Sequence, residues 1–286
     1  MAECRVGVVG VGSMGGGIAR ALLRAGLPTV VHDVRPEAAA ALVAEGAVAA
    51  GSAAELAAAC DVVCVVVFDA AQVDDVLFGA RGLVERAAPG TVVCICATVE
   101  VAAVRDAHQR AAAAGVRVID AGVAGGPRAA DGGLVTFVGG DDDDVARARP
   151  ALDACSRHVV HAGPLGAGMH LKLVKNLVSY TTMCAVHEGM WFAERLGIAP
   201  EAAQFALEET YLLDDFYHST TSRSAAPHGA DADPDLVEAS RFFARLARKD
   251  LEAIQAEAAA HGVELPTARV AWEQAPHYFR VPDPEE

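Results

Sequence analysis

The run Gly10-Val11-Gly12-Ser13-Met14-Gly15 constrains this chain more than any other feature. It stands between a β-branched apolar segment, Arg5 to Val9, and a segment of helical composition, Met14 to Ala25. Each glycine answers a separate steric demand of a strand–turn–helix joint. Gly10 permits the tight turn, Gly12 lets backbone approach a pyrophosphate, and Gly15 lets helix and strand pack closely. Exposed N–H groups around Ser13 and Met14 then point at bound phosphates. The pattern alone is weak, but strand and helix flank it as required, and Asp33 closes the second strand. A carboxylate there accepts hydrogen bonds from the adenosine ribose and repels a 2′-phosphate, which argues for NAD over NADP. Arg35, two residues on, opposes that preference if it pairs with a 2′-phosphate. Stacking near adenine or solvation are its other roles.

The rest of the first half repeats the rhythm. Thr29–His32, Val62–Phe68, Thr91–Cys96, Val116–Ile119 and Thr136–Val138 read as buried strands, and Glu37–Glu45, Ala53–Ala59 and Val101–Ala114 as helices. Alternation of this kind predicts a doubly wound parallel sheet of Rossmann type. After Pro164 the strand signals stop. Ala167–Leu196 reads as one helix, roughly 45 Å long and able to join two domains. Pro200–Tyr217 and Pro234–His261 follow as further helices. The expected architecture is therefore a dinucleotide-binding domain over residues 1–163 and an all-helical domain over 164–286, suited to substrate binding and self-association.

Charge narrows the partners. With 38 acidic against 23 basic residues the formal charge is −15, which disfavours nucleic acid and anionic lipid over most of the surface. The longest aliphatic and aromatic run, Val62 to Phe68, is far shorter than the roughly 20 residues of a bilayer span. The start of the chain lacks a secretory pattern, so a cytoplasmic location is expected. The seven cysteines are odd in number, and the pairs Cys60/Cys64 and Cys94/Cys96 lack metal-ligand spacing. They read as buried reduced thiols. Asp141 to Asp144, after two glycines, reads as a helix start rather than a metal site.

The glycine run with methionine before its last glycine resembles the opening of the β-hydroxyacid dehydrogenases, the group that includes 3-hydroxyisobutyrate dehydrogenase and tartronate semialdehyde reductase. Three later segments carry the same resemblance. Asp120-Ala121-Gly122-Val123-Ala124-Gly125-Gly126 is similar to the family's substrate loop. Gly163-Pro164-Leu165-Gly166-Ala167-Gly168, followed by Lys172 and Asn176, is similar to its catalytic helix. Lys249-Asp250-Leu251 is similar to its C-terminal lysine motif. The resemblance implies that Lys249 reaches cofactor or substrate, that Phe242 and Phe243 approach the nicotinamide or pack in the core, and that the chain assembles as a homodimer or homotetramer.

Oxidising an alcohol by hydride transfer also requires removing its hydroxyl proton. Lys172, just past the glycine-rich helix entry, is the candidate acid/base. Asn176, one helical turn on, shares its face and can hold a substrate hydroxyl or carboxylate. Lys175 between them adds positive potential or projects to solvent. Thr98 ends the fourth predicted strand beside the expected nicotinamide position, and Val67 and Phe68 line the cofactor through backbone and packing.

The chain departs from the family in two places. Ile95-Cys96-Ala97-Thr98 keeps only the last hydroxyl of a hydroxyl-rich stretch. The serine usual before the Gly-Gly pair is Ala124, which leaves the backbone N–H groups of Gly125 and Gly126 to hold a carboxylate. Arg128, His170, Tyr211, Tyr217 and His218 are further pocket candidates, and the tail after Pro266 is short for the family. The first reading is an NAD-dependent dehydrogenase of a small anionic 3-hydroxy acid. An imine or atypical carbonyl reductase is the second, and a non-catalytic dinucleotide sensor or assembly module the third.

Overall fold

The computed structural model describes residues 4–125, 132–209, 232–260 and 262–281. The chain divides into two compact units, Met1–Asn176 and Leu177–Glu286.

In the first unit β1 (Val6–Val9), α1 (Ser13–Arg24), β2 (Thr29–His32), α2 (Pro36–Ala44), β3 (Val48–Ala49), α3 (Ala53–Ala57) and β4 (Val62–Val65) alternate strictly. They are followed by α4 (Ala70–Phe78), β5 (Val92–Ile95), α5 (Val101–Ala112), β6 (Arg117–Ala124), β7 (Leu134–Gly139), α6 (Asp142–Cys155) and β8 (Ser156–Gly163). The helix α7 (Ala167–Arg195) starts here and continues into the second unit. The strands form one sheet in the order β3-β2-β1-β4-β5-β6-β7-β8. β1 to β6 run parallel, β7 is antiparallel to β6, and β8 is parallel to β7. Strand order reverses beside β1, and in open α/β sheets ligands bind at that switch point, outside the carboxyl ends of the strands.

Burial on both faces explains the near-continuous Val/Ile/Cys composition of the central strands. One face packs Val6, Val8, Cys64 and Cys94 against Ile18 and Leu22 of α1, Leu42 of α2 and Leu152 of α6. The other packs Val9, Val63, Val65 and Ile95 against Leu56 of α3, Leu77 of α4, Val104 of α5 and Met169 of α7. Cys60, Cys64, Cys94, Cys96 and Cys155 are free and buried. Asp142, Asp143 and Asp144 lie in the first turn of α6, where carboxylates meet the positive end of the helix dipole.

The sheet has eight strands rather than the six expected. β3 is two residues long, and β8 exposes Arg157, His158 and His161 as an edge strand with no apolar run. The predicted strand Val62–Phe68 ends at Val65, and Val66 to Phe68 leave the sheet as a ledge.

The second unit carries the rest of α7, α8 (Pro200–Glu209), α9 (Pro234–Ala260) and α10 (Pro266–Tyr278). Glu188 of α7 caps α10. Its carboxylate accepts from the N–H of Thr267 at 2.8 Å and from the Thr267 hydroxyl at 2.7 Å, replacing a side-chain cap that Leu265 cannot supply. Val263 and Leu265 are buried with Phe192 and Ala268 around them. No helix among the described residues is long and apolar enough to cross a membrane.

Candidate active site

The first unit contains a cleft of about 980 Å³ at the carboxyl ends of β1, β2, β4 and β5. Gly10, Gly12, Ser13, Met14, Gly15, Asp33, Val67, Phe68, Thr98 and Lys172 all line it. The glycine turn is built by close contacts. Gly10 adopts φ +83°, and a Cβ there would stand 2.5 Å from the Val66 carbonyl oxygen. A Cβ at Gly15 would overlap the Gly10 carbonyl oxygen. Gly12 is different, because a Cβ there would meet only an Arg35 guanidinium nitrogen at 3.8 Å. No packing inside the protein demands glycine at that position. The open space faces the N-terminus of α1, where unpaired N–H groups and the helix dipole favour phosphate. The loop therefore fits a dinucleotide pyrophosphate.

Asp33 has a second task in this structure. One carboxylate oxygen accepts from the Val11 N–H at 2.8 Å, and the other from the Arg35 N–H at 2.9 Å. The aspartate thus ties the end of β2 to the glycine loop. Burial alone would push its carboxyl up, but the N–H donors of Arg35 and Val11, with the Arg35 guanidinium, outweigh that and hold it below the usual carboxylate range. A fixed negative charge therefore stands on the rim. Beside it Val34 and Phe68 are 90% and 85% exposed, large apolar surfaces left bare at the cleft wall.

Lys172 stands at the opposite end of the cleft, 9% exposed on α7. A Cβ on Gly122 of β6 would lie 2.8 Å from the Lys172 Cβ, so the bare glycine is what lets the lysine stem lie against the sheet. Burial, with Lys175 adding like-charge repulsion, pushes the amine down from its ordinary value. That is the direction a general base needs, since more of it is neutral near physiological pH.

Asn176 is half-buried one turn further along α7 but is not in the cleft wall. Ala124 ends β6 half-buried, and Gly125 follows at φ +129°; neither lines the cleft, although Val123 does. Gly126, Arg128, Tyr211, Tyr217 and His218 lie outside the described residues. His170 is exposed on α7. Lys249 belongs to α9 in the second unit, and its side chain is not among those described. Phe243, also on α9, stacks against Phe279 with centroids 6.2 Å apart.

Sequence reading missed the far wall, formed by Ser52, Ala53, Gln72, Asp75, Val76 and Arg81. A signal for it exists. Asp69 accepts from the Gln72 N–H at 2.8 Å while the Gln72 side chain accepts from the Phe68 N–H at 3.1 Å. This is a capping box displaced by one residue. Ser52 and Glu55 repeat the device at α3, the Ser52 hydroxyl accepting from the Glu55 N–H at 3.2 Å and the Glu55 carboxylate from the Gly51 N–H at 2.8 Å. Among the described residues no cluster of His, Cys, Asp or Glu is arranged to hold a metal ion.

Two family models match the chain. Residues 5–163 match the NAD binding domain of 6-phosphogluconate dehydrogenase, and residues 166–277 match the model described as NAD-binding of NADP-dependent 3-hydroxyisobutyrate dehydrogenase. The NAD-dependent L-serine dehydrogenase of Pseudomonas aeruginosa is 33% identical over 276 residues, spanning 93% of this chain and 89% of that protein. Among solved structures, 3-hydroxyisobutyrate dehydrogenase from Salmonella typhimurium matches with a TM-score of 0.70 and 30% identity, covering 96% of this chain and 93% of that one. An imine reductase from Pseudomonas sp. superimposes with a TM-score of 0.81 at 21% identity over 96% of this chain and 92% of its own; at that identity the likeness is one of fold.

Proposed function

This chain belongs to the β-hydroxyacid dehydrogenase family of NAD-binding oxidoreductases, and from that premise we propose that it interconverts a small 3-hydroxy acid with its semialdehyde or ketone, Lys172 moving the proton. The observation that carries the proposal is that the buried Lys172 side chain lines the same cleft as the glycine loop.

When bound, NAD supplies the acceptor for the hydride that leaves the substrate carbon. The chain's own residues do the rest. Backbone N–H groups of the Gly10–Gly15 loop hold the pyrophosphate, and Asp33 accepts from the adenosine ribose. Val67, Phe68 and Thr98 flank the dinucleotide. Neutral Lys172 accepts the substrate hydroxyl proton at Nζ as the carbonyl forms, then passes it to solvent; in the reverse direction the ammonium donates it. Asn176 orients the substrate. Gly125 and Gly126 hold its carboxylate through backbone N–H groups, because Ala124 offers no hydroxyl. Lys249 is assigned to cofactor or substrate by its Lys249-Asp250-Leu251 motif. Residues 1–163 are assigned to the dinucleotide and residues 164–286 to substrate and assembly as a homodimer or homotetramer, acting in the cytoplasm.

The test is a panel of 3-hydroxyisobutyrate, L-serine and L-threonate with NAD and NADP, following reduced-nicotinamide absorbance. Turnover of at least one acid is expected. Failure with every acid alongside reduction of a cyclic imine would replace the proposal by an imine reductase, a reading that Lys172 and Asn176 oppose because that pair suits an alcohol/carbonyl couple. Tight NADH binding without turnover of anything would leave a sensor.

Asp33 gives a second expected result. Asp33→Ser removes a charged partner of the ribose hydroxyls and the charge that repels a 2′-phosphate. The ratio of NADH to NADPH affinity should fall by about 10–100-fold, the value of one or two hydrogen bonds to a charged group. Fluorescence titration with both reduced dinucleotides measures it, and an unchanged ratio would take Asp33 out of cofactor selection.

A further inference from the structure

The first turn of α7 is hydrogen-bonded to a buried carboxylate on a different element. Asp120 of β6 is 0% exposed. One of its oxygens accepts from the Gly166 N–H at 2.6 Å and the other from the Met169 N–H, so both are spent on the first turn of α7. The reach is made possible by a bare partner. Asp120 pairs with Gly139 across the antiparallel β6–β7 ladder, and a Cβ on Gly139 would stand 2.6 Å from the Asp120 oxygen and 2.8 Å from the Ala167 nitrogen. A Cβ on Gly168 would likewise overlap the Phe137 carbonyl oxygen. Carboxylate, bare strand and helix start are fitted to one another without slack.

Resting on the proposed role of Lys172, we propose that Asp120 is a positioning residue for that amine. Its carboxylate pins the first turn of α7 to β6, and Lys172, standing over Gly122 two residues along the same strand, is thereby held in the cleft. Two features favour this over a purely structural reading. A fully buried carboxylate is costly, and burial does push its acid up despite the N–H groups of Gly166 and Met169 that it accepts from. An apolar side chain there would leave the Gly166 and Met169 N–H groups unpaired, whereas the two directed hydrogen bonds fix the geometry of the joint. And the pinned turn lies directly before the lysine, with Met169 one turn below Lys172.

Asp120→Asn tests this in the full chain. The amide oxygen can accept from one N–H, but its NH2 then faces the other donor and the first turn shifts. With kcat normalised to NADH-binding sites, a fall of about 10–100-fold is expected, as misplacement of a reacting group by about 1 Å can cost 10²-fold. The NADH Kd should stay within about twofold, since no residue of the glycine loop changes. The midpoint of the kcat–pH profile should move, because the burial of the amine changes with its position. Asp120→Glu, which keeps the charge but moves the carboxylate outward by one methylene, should give the same three signs, and it decides the matter if Asp120→Asn does not fold. Wild-type kcat per binding site with an unmoved pH midpoint in the folded variant would overturn the inference, whatever the change in melting temperature. Undiminished turnover by Lys172→Met would instead sink the proposed function itself.

Discussion

Replacing Lys172 by methionine should lower kcat by about 10²–10⁴-fold, the usual contribution of a positioned acid/base, while NADH still binds. The same substitution should make the protein more stable at neutral pH. Lys172 is buried and its folded-state pKa lies below the ordinary lysine value. Between the folded and unfolded pKa values the unfolded chain binds more protons, so stability rises with pH across that window. Below the window the full cost of burying the ammonium is present. Methionine keeps the stem and drops the charge, filling the space with a flexible apolar chain. The melting temperature at neutral pH should therefore rise, each kcal/mol gained being worth about 2–4 °C in a chain of this size. Thermal unfolding read beside turnover checks both halves. Loss of activity together with loss of stability would mark a structural lysine instead. In the native protein, oxidation should speed up as pH rises through the Lys172 midpoint, and reduction should slow.

Gly15→Ala should damage folding and binding together. Its methyl group would overlap the Gly10 carbonyl oxygen and press on the Val66 side chain, and neither can withdraw without moving the ends of β1 and β4 or lifting α1. Overpacking of this kind costs about 1–3 kcal/mol. Lifting α1 from the strand also re-aims the N–H groups around Ser13 and Met14, so NADH affinity should fall by at least about tenfold, the equivalent of about 1.4 kcal/mol. Gly12→Ala provides the contrast. With only an Arg35 nitrogen at 3.8 Å from the new atom, the melting temperature should hardly change, yet the methyl projects into the space reserved for pyrophosphate and binding should weaken comparably. Thermal unfolding and NADH titration on the two variants separate the glycine that packs from the glycine that makes room. Equal effects of both substitutions on stability would contradict that separation.

Much of the dinucleotide cleft was legible because its chemistry is local. A turn with Gly10, Gly12 and Gly15 in fixed register, followed by Asp33 at the next strand end, needs no knowledge of distant contacts. Lys172 was legible through a family resemblance rather than through periodicity, since α7 is an ordinary helix by composition. The limits have physical causes. The brace from Asp33 to the Val11 N–H joins two strand ends that meet only in the sheet, so no spacing rule reveals it. α4 escaped notice although Asp69 and Gln72 carried its start signal, because its nine residues are too few for a helical period to stand out. α10 was hidden by Pro276 inside it and by a cap, Glu188, that lies on another helix. Asn176 shares a helical face with Lys172 by arithmetic, yet the cleft wall stops at the lysine. Helical spacing says which side chains are neighbours and nothing about how far a cavity extends.

The sulfur atoms buried on both faces of the sheet make the core its own clock. Burial pushes the Cys60 and Cys155 thiols up to about 12, so in the closed sheet almost none of either is the thiolate that electrophiles attack. A maleimide can reach them only during rare openings of the sheet. The speed at which these sulfurs acquire a label therefore counts those openings, and dinucleotide tightened onto the glycine loop should slow the count in proportion to its occupancy.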